Sequence, residues 1–220
     1  DLNAASSQYV QRDSASLAAG FPGNSGGGNT GLTVAGWFKL KSGGNHPLVM
    51  KVGSDRSWSF WVWDFGSGPQ LDPNIWDSSG SLSGNGDFTS NGVLQLGQWY
   101  HFAWTFSSAT GQSRLYLNGA LENGPFQEFT AGTTMFRGSA PLTLGNRPNQ
   151  SAYADARLDE VVILDRALSA AEVSSLYQYG VVDQSSLQNC NDSNVCSTDS
   201  CVPLSGCQHV AGNAGATCRA

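Results

Sequence analysis

Arg114-Leu115-Tyr116-Leu117-Asn118-Gly119 decides the class of fold. Leu115, Tyr116 and Leu117 read as strand, and Asn118-Gly119 tolerates the positive φ angles of a type I′ turn, so the chain reverses there as a hairpin. Working outward in both directions, the hydrophobic period stays mostly at two, the strand period. It marks strands at Ser7–Val10, Leu32–Leu40, Pro47–Val52, Trp58–Phe65, Gly92–Leu94, Tyr100–Ser107, Ser113–Leu117, Leu142–Leu144 and Leu158–Leu164. Turn-forming runs at Gly23–Gly31, Ser78–Gly86 and Gly145–Gln150 separate them.

Composition agrees. Charged residues make up 13% of the 220, and there are 27 glycines. That suits short strands joined by many turns and disfavours a helical bundle. The formal charge of −6, with no run of Lys or Arg, argues against a nucleic-acid partner. No apolar stretch reaches the roughly 18 residues of a membrane span, so membrane insertion is not expected. The chain opens at Asp1 in what already reads as strand, so further sequence is expected upstream.

One helix is predicted. Ser169 and Glu172 form a capping box, in which each side chain satisfies a free backbone donor of the helix start. Val173, Leu176 and Tyr177 follow at helical spacing, and Gly180 supplies a stop. The sequence therefore divides into a sandwich over residues 1–180, a polar linker over 181–189 and a small module over 190–220. All five cysteines, Cys190, Cys196, Cys201, Cys207 and Cys218, fall in that last module. Their spacings of six, five and six residues are not the Cys-x-x-Cys pairs of a zinc site. They read as a disulfide framework in an oxidising compartment, which implies a secreted or cell-surface protein. The odd count leaves one partner free, missing or beyond Ala220. Asp192, Asn194 and Asp199 in the same module suit either ordinary turns or a second calcium loop.

Five segments, in order, resemble laminin-G-like, concanavalin-A-like domains. They are Leu32–Lys39 around Trp37, Gln98–Ala103 around Trp99 and His101, Arg114–Gly119, Pro141–Gly145, and Leu158–Ser169 with the short helix after it. The resemblance implies an all-β fold: a two-sheet antiparallel jelly-roll sandwich with one short C-terminal helix and a small disulfide-rich tail. The tail, from Cys190 to His209, resembles short Cys-rich repeats of large secreted bacterial proteins, where they join or extend modules. The resemblance also implies a structural calcium. Asp159 matches the aspartate that related sandwiches use on their last strand, and Asn3 is its implied partner near the first strand. Calcium wants six to eight oxygens, many of which loops supply as carbonyls. The alternative is that Asp159 only makes hydrogen bonds across the sandwich end. Glu160 is expected on the opposite face by strand alternation. His101 is expected to be a packed strand residue.

Ser57-Trp58-Ser59-Phe60-Trp61-Val62-Trp63-Asp64-Phe65 is the most unusual run. Alternation puts Trp58, Phe60 and Val62 on one face and Trp61, Trp63 and Phe65 on the other. One face must pack the core. Tryptophans on the second face either stack on sugar rings or are covered by long loops. Trp76 and Asp77 follow a Pro-containing loop, and Arg147 and Tyr153 stand before the last strand, where they can bond sugar hydroxyls. Nothing matches the Glu-x-Asp-x-x-Glu strand of glucan-hydrolysing relatives, and no Gly-x-Ser-x-Gly elbow occurs. An unrecognised glycan-active lyase stays open, and beside it two binding functions lead. One is a calcium-stabilised carbohydrate-binding module taking a polysaccharide or glycan. The other is an adhesion or assembly module contacting a surface protein.

Overall fold

A computed structural model describes residues 1–27, 29–83, 89–185, 197–202 and 206–211, with backbone alone for 181–185, 197–202 and 206–211. In chain order the strands are β1 (Val10–Arg12), β2 (Gly31–Leu40), β3 (His46–Val52), β4 (Arg56–Asp64), β5 (Pro69–Ile75), β6 (Trp99–Ser107), β7 (Gln112–Leu117), β8 (Ala120–Gln127), β9 (Leu142–Leu144), β10 (Asn146–Arg147), β11 (Ala152–Tyr153) and β12 (Ala156–Leu164). Helix α1 covers Ala170–Ser185, and β13 (Ser197–Val202) and β14 (Gly206–Ala211) form a hairpin in the tail.

The large strands form two antiparallel sheets. Sheet one runs β1-β9-β3-β4-β5 and sheet two runs β12-β2-β6-β7-β8. Their inner faces meet in one core. Trp58, Phe60 and Val62 of β4 face Phe38 of β2 and Phe102, Trp104 and Phe106 of β6 within it. Phe60 and Phe102 stack across the gap with ring centroids 4.5 Å apart. Each such ring removed from water contributes about 2–3 kcal/mol, which makes this layer the main stabilising element.

The hairpin turn forms as predicted, with φ of 50° at Asn118 and 77° at Gly119. The capping box forms too. Glu172 N donates to Ser169 Oγ at 3.3 Å, while Ser169 N donates to Glu172 Oε2 at 2.8 Å. The helix then continues past Gly180 to Ser185.

Two strands of the large sheets go beyond the sequence reading, as do the short hairpins β10–β11 and β13–β14. β5 and β8 each stand at an edge of their sheet and carry proline, Pro69 and Pro73 in one and Pro125 in the other. Proline lacks a ladder donor and is tolerated at edges, so it hides an edge strand from pattern reading. The segment Gly92–Leu94 is not a strand. Leu94 N, Ser90 N and Ser83 N instead donate to the carbonyls of Pro69, Leu71 and Ile75, which binds the loop over the free edge of β5. The first strand begins later than expected, because a 3-10 turn at Ala4–Ser6 and a left-handed Ser7 delay it.

The outer face of sheet two is covered by α1. Ala35 and Ala103 are small enough to admit the helix, and Leu168 and Val173 close over them with Tyr116. His101 is 2% exposed, edge-on to Trp37 at 5.3 Å and tilted against Tyr177 at 5.8 Å. Burial pushes its imidazole down to about 4, so it packs there as a neutral ring.

Cys190, Cys196 and Cys218, with Asp192 and Asn194, lie outside the described residues, as do the side chains of Cys201, Cys207 and Asp199. The backbone register of β13 and β14 sets position 201 opposite position 207.

Candidate functional site

The outer face of sheet one carries a shallow groove. Its floor is the second face of β4, with Ser59, Trp61, Trp63 and Phe65 in a row. β5 adds Asp72 and Asn74 beside them, because the ladder sets Trp61 opposite Asp72 and Ser59 opposite Asn74. Arg56 and Trp76 form one end and Arg147, from the β10–β11 hairpin, forms a wall. Its volume of about 250 Å³ is below the roughly 300–1,000 Å³ of a pocket that engulfs its ligand.

The aromatic rings differ in how far they are available. Trp61 is 5% exposed and packs with Met50 and Val52, and its indole N–H donates to Ser59 Oγ at 3.2 Å. Trp76 is 7% exposed. Trp63 is half-buried, edge-on to Trp61 at 5.3 Å, and Phe65 beside it is exposed. Trp61 and Trp76 are therefore walls, and Trp63 and Phe65 offer open rings.

The charged groups sit against these rings. The Arg147 guanidinium lies 5.5 Å from the centroid of the Trp61 ring, and that of Arg56 lies 5.8 Å from Trp76. Both distances are within cation–π range. Burial, and then the neighbouring Arg56 charge, depress the affinity of Arg147 for its proton. Asp72 is pushed up to about 6 by burial, against a smaller opposing effect of the Asn74 amide that donates to its Oδ2 at 3.2 Å.

A profile of the concanavalin A-like lectin/glucanases superfamily, in its laminin-G branch, matches residues 6–174. The chain belongs to this superfamily. Among solved structures, a heptameric SAP-like pentraxin from Limulus polyphemus is similar at TM-score 0.51 and 16% identity, covering 74% of this chain and 84% of that one. The binding domain of Paraclostridial Mosquitocidal Protein 1 is similar at TM-score 0.50 and 18% identity, covering 70% and 38%. Trypanosoma rangeli sialidase with bound sialic acid is similar at TM-score 0.51 and 16% identity. This chain spans only 24% of that enzyme's length. At such identities the likeness is one of fold alone. No curated protein matches.

Among members of this superfamily the fold hosts both binding and catalysis, so the site must be read from its residues. Of the predicted ligand residues, Trp61, Trp63, Trp76 and Arg147 come together in the groove. Asp77 lies just past it and organises a turn, its Oδ1 accepting from Ser79 N and Ser81 N, each at 2.9 Å. Burial pushes its carboxyl up, and the donors of Ser79, Ser81 and Gly80 together outweigh that and hold it low. Tyr153 packs its ring 6.1 Å from that of Tyr9. Arg56, Asp72 and Asn74 were not predicted. For Asp72 and Asn74 the signal was the alternation Gln70, Asp72, Asn74 against Leu71, Pro73, Ile75, with the second set buried and the first half-buried.

Asp159 and Asn3 stand on adjacent segments, since Leu2 N donates to Ala156 O at 2.8 Å. Asp159 is exposed, and its Oδ1 accepts from Glu160 N at 2.9 Å. Asn3 Oδ1 accepts from Ser6 N at 3.3 Å. Nearby, Asp1 meets Lys41 at 2.9 Å and Arg157 at 3.4 Å, and Asp155 meets Lys41 at 3.2 Å. Among the described residues no three His, Cys, Asp or Glu side chains gather as a metal site. Side chains alone thus make no calcium shell here, and an ion at Asp159 would lean on backbone carbonyls. Glu160 departs from simple alternation. The ladder slips between Asp159 and Val162, Glu160 takes a left-handed φ of 48°, and its carboxylate turns toward Gly180 and Trp37. Asp159 pairs with that same Trp37, so the bulge brings both acids to the outer face. Among the described residues no helix is long and apolar enough to cross a membrane.

Proposed function

We propose that this chain is a non-catalytic carbohydrate-binding module of a larger secreted or cell-surface protein, and that the groove on sheet one is its binding face. The observation that carries this reading is the combination of open rings at Trp63 and Phe65 with Arg56, Asp72, Asn74 and Arg147 around them. Sugar rings present C–H groups that stack on aromatic faces, and hydroxyls at their rims that need donors and acceptors. Apolar walls with a few convergent polar groups are what such recognition requires. Shallow depth suits a polymer lying across the surface. A retaining glycosidase places two carboxylates about 5 Å apart. The residues lining this groove include one carboxylate, Asp72, which supports binding without hydrolysis.

Affinity electrophoresis across a broad polysaccharide panel tests the reading. The folded wild type should be retarded by at least one polymer, and Trp63→Ala should abolish that with little change in melting temperature. A folded protein that no polymer retards would end the proposal. The reading includes a structural calcium at Asp159 with Asn3, supported by the bond that holds their two segments side by side. An ion that binds only the native state stabilises it by mass action, so chelator should lower the melting temperature. An unchanged transition, with no metal by elemental analysis, would retire that ion and leave the groove untouched.

A further inference from the structure

The charge of the groove opposes that of the whole chain. The protein carries 17 acidic and 11 basic residues, yet the groove holds two guanidiniums and one carboxylate. Most described guanidiniums elsewhere are engaged: Arg12 donates to Ser16 O, Arg137 to Asn29 Oδ1, Arg157 meets Asp1 and Arg166 meets Glu172, while Arg114 stands on β7 of the other sheet. Among the described residues, Arg56 and Arg147 have neither an ion pair nor a side-chain hydrogen bond, only the faces of Trp76 and Trp61. A guanidinium on a ring keeps its in-plane donors for a planar or tetrahedral oxyanion. Arg56 also stands close enough to disfavour the charge on Arg147, after burial. An anion set between them relieves that repulsion.

We infer that the groove selects an acidic polysaccharide, with Arg56 and Arg147 gripping a carboxylate or sulfate on a sugar whose ring stacks on Trp63. This rests on the carbohydrate reading above and adds the ligand's charge. Burial raises the Asp72 carboxyl to about 6, so only as the pH falls below that value does it take up a proton and cease to cancel the arginines.

The test uses the full 220-residue chain and matched polymers: polygalacturonate against its methyl ester, heparin against desulfated heparin, and neutral galactan. Binding is measured by calorimetry at low and high salt. A charge-assisted contact implies about a tenfold or greater loss of affinity when the anion is masked. Arg56→Gln and Arg147→Gln should each erase most of that difference, and the corresponding Lys variants should restore part of it. Preference for polygalacturonate identifies a carboxylate and preference for heparin identifies a sulfate; either result upholds the inference. Equal affinity for masked and unmasked polymers, unchanged in the Gln variants, overturns the inference while leaving carbohydrate binding intact. A folded chain that binds none of the polymers overturns both. Melting curves of the Gln variants separate loss of grip from loss of fold.

Discussion

The two sheets share a core but turn opposite kinds of outer face to their surroundings. On sheet two, Ala35 and Ala103 leave a hollow that Leu168, Val173 and Leu176 fill, and Trp37 is sealed beneath Tyr177. On sheet one, Trp61, Trp63 and Phe65 project from β4 where small residues would allow a helix to land, and the β10–β11 hairpin covers only part of them. The same residue type therefore has two jobs. Trp37 under a helix is cement, whereas Trp63 at an open face is left half-covered and is the ring the proposed binding would use. The contrast depends on what lies above each strand, and neighbours in sequence do not set it.

Substitutions probe how deep that contrast goes. The largest effect is expected at Trp61, the groove residue that behaves as core. Trp61→Ala should cost about 3–5 kcal/mol in urea denaturation, because it opens a cavity over Met50 and Val52. A cost under about 1 kcal/mol would show the two outer faces to be equally loose. Next, Gly119→Ala attacks the sealed face. A Cβ there would stand 2.7 Å from the Tyr177 ring, at a φ of 77°, so a loss of about 1–3 kcal/mol is expected with α1 loosening first by hydrogen exchange.

Asp72 gives an effect of similar size and opposite sign. Its folded-state carboxyl is raised to about 6, so the native state holds a proton that the unfolded chain releases. The contribution of Asp72 to stability should be highest below about pH 4, fall as the pH rises to about 6, and then level off. Asp72→Asn removes that penalty and should stabilise the protein by about 2 kcal/mol at pH 8 with no gain at pH 4. A destabilised Asn variant at pH 8 would mean the carboxylate is held by favourable contacts instead. The smallest effect is expected at the helix start. Ser169→Ala should cost about 1 kcal/mol and leave polymer binding unchanged, since it touches only the covered face.

The β4 face was legible in sequence because alternation is a local rule, and Trp58, Phe60 and Val62 went inward as it required. The hairpin at Asn118-Gly119 and the Ser169–Glu172 box are local in the same sense. The partners of the groove were not local. Arg56 meets Trp76 and Asp72 meets Trp61 through the β4–β5 ladder, and prolines disguised β5 as a loop. The cover over Trp61 includes Arg147 and Ala152, far along the chain. Glu160 misled because a bulge resets the alternation that the reading relied on.

The looped-over border of β5 bears on the proposed binding to a polymer. A module held at high density along a polysaccharide is brought repeatedly against copies of itself, and exposed sheet borders are where such encounters turn into fibrils. Here Pro73 offers no N–H, and the carbonyls of Pro69, Leu71 and Ile75 are already taken by the chain's own loop. If the groove takes a polymer as proposed, the face that crowds these molecules together lies next to a border that gives a stranger's backbone almost nothing to hold, and many copies could share one fibre of ligand and stay separable.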